Sequence, residues 1–232
     1  MEGTGPSKGN THVIFIGEVS RVHEAFRTSQ NTDPLKKIVL VIPEDRLPEF
    51  KHLRDEFSKF CTEVIVKGVD IADVAGCALA VYELITNEKK RGGVVTLNIT
   101  DSSVFAFTIS AGIIGSVTKC KVITSTGNDI PVSVPLTPYC RIAAKRYEIL
   151  KALGGTGADN TDSLKKKLDK LFKTGGIVDS NLSAQLKILE DRGFIVREKN
   201  RQNPQSKTIR RTTLGLLIQK AYEDYPSSRS KK

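Results

Sequence analysis

Residues 11–17 read Thr11-His-Val-Ile-Phe-Ile-Gly17, a short apolar run closed by a glycine, and what flanks this run sets the fold class. Glu18 to Ser29 follows with Val19, Val22 and Phe26 at helical spacing, and Lys37-Ile-Val-Leu-Val-Ile-Pro43 is a second apolar run. Leu47, Phe50, Leu53, Phe57 and Phe60 recur near the helical period of about 3.6 residues and predict a second helix. Thr62-Glu-Val-Ile-Val-Lys67 reads as a third strand, and Ile71, Val74, Ala75, Ala78, Tyr82 and Ile85 as one face of a third helix. Gly93-Val-Val-Thr-Leu-Asn-Ile99, then Ser102 to Val117, then Lys121-Val-Ile-Thr124 add strand, helix and strand. The strand runs are continuous rather than alternating, as in strands covered by helices on both faces. Strand alternating with helix in this way predicts an α/β domain over residues 11–136, a doubly wound, Rossmann-like parallel sheet.

In such sheets a ligand binds beyond the carboxyl ends of the strands, where the strand order reverses. Two loops qualify. One is Gly17, Glu18, Val19 and Ser20 after the first strand; the other is Asn98, Thr100, Asp101, Ser102 and Ser103 after the fourth. Both lead into helix N-termini, whose free N–H groups favour anions, although the same Ser, Thr, Asn and Asp residues are equally suited to capping helices. A single glycine stands where a dinucleotide fingerprint would need three, and Gly154-Gly-Thr-Gly157 follows a helix, as a flexible turn does. No activated nucleophile or acid/base pair is visible, so no enzymatic activity and no cofactor are expected. His12, His23 and His52 fall on a strand or on helices that pack against the sheet, where a lone histidine is structural or solvated.

The rest of the chain differs in charge. Residues 1–138 carry 15 Lys/Arg against 16 Asp/Glu, a net of −1, whereas residues 139–232 carry 21 against 10, a net of +11. Charge segregated in this way points to a neutral domain joined to one that meets a polyanion. Cys61, Cys77, Cys120 and Cys140 form no C-x-x-C pair, which predicts reduced, buried thiols and no metal site. No apolar run approaches membrane-span length and residues 1–10 lack a signal-peptide core, so a cytoplasmic protein is expected.

Pro135 and Pro138 mark a linker, after which a second domain over 139–225 reads helix, helix, helix, hairpin, helix. Ile142, Ile149, Leu150 and Leu153 line the first helix. Thr161 or Asp162 can cap the second, with its face at Leu164, Leu168, Leu171 and Phe172, and Asp179 or Ser180 can cap the third. On that third helix Leu182, Leu186 and Leu189 share a face; Ser180, Ser183, Ala184 and Lys187 point away from it, with Asn181 on a flank. Small and polar residues there suit a major groove, with Ser180, Asn181, Ser183 and Lys187 reading base edges. Gly193 ends the helix, and Phe194–Lys199 and Lys207–Thr212 flank a polar turn. Arg197, Lys199, Arg201, Lys207, Arg210 and Arg211 crowd this hairpin, where cations neutralise phosphates.

The run Leu186-Lys-Ile-Leu-Glu-Asp-Arg-Gly-Phe-Ile195, a basic hairpin and Thr212-Thr-Leu-Gly215 resemble the recognition helix, wing and last helix of archaeal and bacterial winged helix-turn-helix regulators. The two-domain plan resembles the CRISPR-associated Rossmann-fold (CARF) transcription regulators of archaea. That resemblance implies a homodimer joined through the sensor domain, binding to double-stranded DNA, and a link to antiviral defence. It also implies a cyclic oligoadenylate or other small nucleotide as ligand. The family's loop after the fourth strand has a pattern like Asn-x-Thr-Gly-Gly-Thr-Lys. Here Asn98 and Thr100 match, but Asp101 and Ser102 replace the glycines and the basic residue is missing. Two other functions compete: binding or cleavage of a cyclic oligonucleotide, and sequence-tolerant coating of DNA.

Overall fold

The computed structural model describes residues 10–101, 103–125, 127–134, 142–172, 179–200 and 206–225, and of residues 179 and 180 the backbone alone. The chain divides into two compact units, Met1–Tyr139 and Cys140–Lys232.

In the first unit β1 (Asn10–Phe15), β2 (Leu35–Pro43), β3 (Glu63–Val69), β4 (Val94–Asn98) and β5 (Lys121–Ser125) pair in parallel in the order β3-β2-β1-β4-β5. A short antiparallel strand, β6 (Pro131–Ser133), extends the edge beyond β5. Helices α1 (Val22–Gln30) and α2 (Lys51–Phe57) cover one face. There Ile14, Ile16, Ile38, Leu40 and Ile42 close a core with Phe26 and Phe57, whose rings stack at 4.3 Å. Helices α3 (Val74–Lys90) and α4 (Phe105–Thr118) cover the other face, where the Phe107 ring lies 5.5 Å from that of Phe15. Both faces of β1 and β2 are buried, so their sequence runs continuously apolar. This is an α/β, Rossmann-like arrangement.

The structure corrects several element boundaries. Glu18–Ser29 splits into a 3₁₀ turn, Val19–Arg21, and α1. The stripe from Leu47 to Phe60 is not one helix. Glu44–Phe50 is 3₁₀ and contains Pro48, which lacks the N–H that an α-helical ladder needs, and Phe60 lies beyond the end of α2, 58% exposed. Ile71 precedes the N-cap Asp73 of α3 and is 38% exposed. Helix α4 starts at Phe105, and Phe105 (76% exposed) and Ile109 (38%) face outward on it. Strand β6 went unread, since three residues opening on a proline show no periodicity.

In the second unit α5 (Ala144–Leu153), α6 (Thr161–Phe172) and α7 (Asp179–Asp191) precede the antiparallel pair β7 (Ile195–Lys199) and β8 (Lys207–Arg211), and α8 (Thr213–Asp224) ends it. The segment between α5 and α6 is not merely a flexible turn. Ala158 and Ile209 exchange backbone hydrogen bonds of 2.8 and 2.7 Å, placing one residue of a third strand beside β8. Gly157 has φ +71°, and a Cβ there would meet the Ile209 carbonyl oxygen at 2.6 Å. The cap of α6 is Asn160 rather than Thr161 or Asp162: its Oδ1 accepts from the Ser163 N–H at 2.8 Å. Thr212 caps α8, its Oγ1 accepting from the Gly215 N–H at 3.0 Å and donating to the Gly193 carbonyl at 2.7 Å.

Candidate functional site

The strand order reverses between β1 and β4, so the loops leaving their carboxyl ends meet there. The centre of that meeting is Asp101, 2% exposed. Its Oδ2 accepts from the N–H groups of Gly17 at 2.7 Å and Glu18 at 2.8 Å, and its Oδ1 from the N–H of Ser103 at 3.0 Å. Only a glycine permits this approach. A Cβ on Gly17 would lie 2.4 Å from both Ser103 Oγ and Val104 Cγ2. Two arginines hold the carbonyl sides of the same loops: Arg46 donates to the Gly17 oxygen, and Arg21 to the Thr100 oxygen at 3.3 Å. Sequence reading missed both, because they lie on separate elements and match no pattern.

Asn98 is fully buried and ties β4 to α1: its Nδ2 donates to Ala25 O and Ser29 Oγ, both at 2.8 Å, while its Oδ1 accepts from the Thr100 N–H at 2.8 Å. The Thr100 hydroxyl is buried without a partner among the described residues. Glu18, Ser20 and Ser103 are exposed and Val19 half-buried; Ser102 lies outside the described residues. The structure thus brings Gly17, Glu18, Asp101 and Ser103 together around one carboxylate, while Asn98 is committed to the scaffold. At the amino ends of β4 and β5 an open cavity of about 520 Å³, lined by Asp33, Lys89, Lys119 and Lys121, contains none of these residues.

In the second unit Leu182, Leu186 and Leu189 of α7 are buried, and Ser183, Ala184 and Lys187 are exposed on the same helix. Asn181 is half-buried and its Oδ1 accepts from Gln185 at 3.3 Å; Gln185 in turn accepts from Arg146 at 2.8 Å. On the hairpin, Lys199, Lys207 and Arg210 are exposed. Lys199 and Lys207 stand directly opposite each other at its loop end; neither side chain forms an ion pair or hydrogen bond with another described residue, and the carboxylate of Glu190 attracts Lys207 electrostatically. Arg197 and Arg211 do not join them. Arg197 donates to Glu190 through Nε at 2.8 Å and through Nη2. That contact holds the Glu190 carboxyl below its ordinary pKa and the guanidinium above its own. Arg211 turns inward, donating to Gln219 and to the Leu150 carbonyl, and desolvation lowers its pKa. The side chain of Ser180 and the whole of Arg201 lie outside the described residues.

No protein-family model and no curated protein matches this chain. Among solved structures it is similar to protein VC1899 from Vibrio cholerae, at 13% identity and a TM-score of 0.41 over 93% of this chain and 66% of that one. A type III CRISPR defence DNA nuclease activated by cyclic oligoadenylate aligns at 11% identity and a TM-score of 0.42, over 83% of this chain and 36% of that one. Can2 from Sulfobacillus thermosulfidooxidans, solved with cyclic tetra-adenylate, aligns at 13% and 0.40 over 92% of this chain and 58% of that one. The chain therefore spans less than two thirds of the length of each. No described helix is long and apolar enough to cross a membrane, and the described residues hold no cluster of three His, Cys, Asp or Glu placed for a metal.

Proposed function

We propose that the chain is a DNA-binding transcriptional regulator whose second unit is a winged helix-turn-helix domain over residues 139–225. In this reading α7 is the recognition helix and β7–β8 the wing. The observation that carries it is the cross-strand pair Lys199–Lys207. Like charges directly opposite on a two-stranded ribbon repel, and the stability they cost is recovered when a phosphate lies between them. The bridge from Ala158 to Ile209 supports the same reading, because it ties the segment after the first helix to the edge of the two-stranded hairpin.

Lys199, Lys207 and Arg210, with Arg201, are assigned to phosphates, and Arg197 and Arg211 to holding the wing against the helices. Ser180, Asn181, Ser183 and Lys187 are assigned to base edges and adjacent phosphates; Asn181 must give up Gln185 to make a bidentate contact with adenine. The protein acts as a homodimer through the outward face of α4, where exposed Phe105 and Ile109 and half-buried Ile113 lie at helical spacing and a Cβ on Gly112 would meet nothing within 4 Å.

The test is an anisotropy titration of the full chain on its own promoter DNA and on a scrambled duplex, at several salt concentrations. Tighter binding to the promoter, weakened on both duplexes by Lys199→Ala and Lys207→Ala, is the expected result. Equal affinity for the two duplexes would instead identify a sequence-tolerant DNA-coating protein.

A further inference from the structure

We propose that the loop pair at the carboxyl ends of β1 and β4 is an oxyanion site for phosphate mono- and diesters, which Asp101 keeps filled from within. Three backbone N–H groups, those of Gly17, Glu18 and Ser103, converge on the two oxygens of one buried carboxylate at 2.7–3.0 Å. Convergent backbone amides of this kind are what proteins present to phosphate. Here the anion belongs to the chain.

Two arginines, each also ion-paired to a glutamate (Arg46 to Glu49 and Arg21 to Glu24), hold the carbonyl sides of the loops. Arg46 binds the Gly17 carbonyl, which is the opposite pole of the very peptide unit whose N–H, that of Glu18, donates to Asp101. Arg21 binds the Thr100 carbonyl, the corresponding pole of the peptide unit that leads into Asp101. The Thr100 hydroxyl is buried in the same loop without a partner among the described residues. Gly17 completes the arrangement, since any side chain there collides with Ser103 and Val104 and pushes the loops apart.

With the carboxylate in place a phosphate meets both a filled volume and a like charge. The wild-type site is therefore closed to nucleotides, and replacing Asp101 opens it. The Asp101 contact also fixes the loop that runs directly into α4, and so sets where that helix and Phe105 begin. The proposal rests on this geometry alone and stands or falls separately from the DNA-binding reading.

The experiment uses the full chain, with the backbone amides of Gly17, Glu18 and Ser103 followed by NMR. Pyrophosphate and adenosine 5′-monophosphate are titrated to millimolar concentration at constant ionic strength, and the melting temperature is recorded in parallel. In the wild type none of the three amides shows a saturable shift and Tm is unchanged. In Asp101→Gly the same amides shift saturably and the lowered Tm rises by several degrees with added ligand. Asp101→Ala also removes both the filling side chain and its charge, so it carries the same test if the glycine variant does not fold; it too is expected to gain a ligand-dependent Tm. A saturable shift at these amides in the wild type overturns the proposal. So does the absence of any anion response in whichever of the two variants folds.

Discussion

His12 lies on β1 with both ring nitrogens buried and without a partner among the described residues. Burial lowers its pKa from 6.5 to about 4; desolvation outweighs the attraction of Asp33, and Lys121 adds repulsion. The folded protein therefore holds the neutral ring, while the unfolded chain begins to take up a proton near pH 6.5. Between pH 6.5 and 4 the unfolded state binds more protons, so stability from this residue is complete above 6.5 and is lost as pH falls toward 4. A shift of this size corresponds to roughly 3 kcal/mol at most. His12→Leu is expected to flatten stability between pH 6.5 and 4.5 and to leave it equal or higher at pH 7, because the unpaired nitrogens go with the ring. Urea midpoints at three pH values decide this, and an unchanged pH slope in the variant would assign the titration to another group.

Two glycines test packing at the same scale. A Cβ at Gly215 would lie 2.1 Å from the Phe194 carbonyl oxygen, and one at Gly157 lies 2.6 Å from that of Ile209. Either alanine variant is expected to cost about 2–4 kcal/mol. Gly112→Ala on α4 meets nothing within 4 Å and should instead add about 0.5–1 kcal/mol.

At the scale of elements the hairpin sets stability against binding. Lys207→Glu replaces a like-charge pair by an opposite one across from Lys199, so it is expected to stabilise the β7–β8 pair by about 0.2–1 kcal/mol. The same change should weaken DNA binding on every sequence. A variant that melts higher yet binds less would show that the pair serves the ligand rather than the fold; one that binds as well as the wild type removes the basis of the proposed wing. The elements were legible where one face dictates the pattern. The parallel strands read from their continuous apolar runs, and the α7 face from Leu182, Leu186 and Leu189. What was not legible depends on partners distant in sequence. The cations of the hairpin look alike as residues, but register and contacts separate them: Arg197 meets Glu190 and Arg211 meets Gln219, while Lys199, Lys207 and Arg210 remain exposed. At the carboxyl ends of β1 and β4 the loops were readable as candidates. That Asp101 fills the amides itself follows from a contact spanning 84 residues, which no local pattern encodes.

For the whole molecule, charge gives the sharpest test of assembly. The excess of +11 lies after residue 138, and the cations assigned to phosphates there are the four on the hairpin, Lys199, Arg201, Lys207 and Arg210. Each phosphate neutralised contributes about −0.9 to the slope of log K against log salt, so one copy engaging four phosphates gives roughly −3.6. Two copies on a two-fold site give about −7, independent of how tightly the complex binds at any one salt. Phe105 on α4 is 76% exposed and lies in the neutral unit, so Phe105→Asp disturbs the proposed dimer contact without touching a DNA-facing cation. The expected outcome is a light-scattering mass that falls from dimer to monomer at micromolar concentration, together with a slope that falls from about −7 to about −3.6. If the mass falls and the slope stays, the copies pair on DNA through another surface. If the wild type itself scatters as a monomer and gives the smaller slope, the protein binds as a single copy and the exposed face of α4 has some other role.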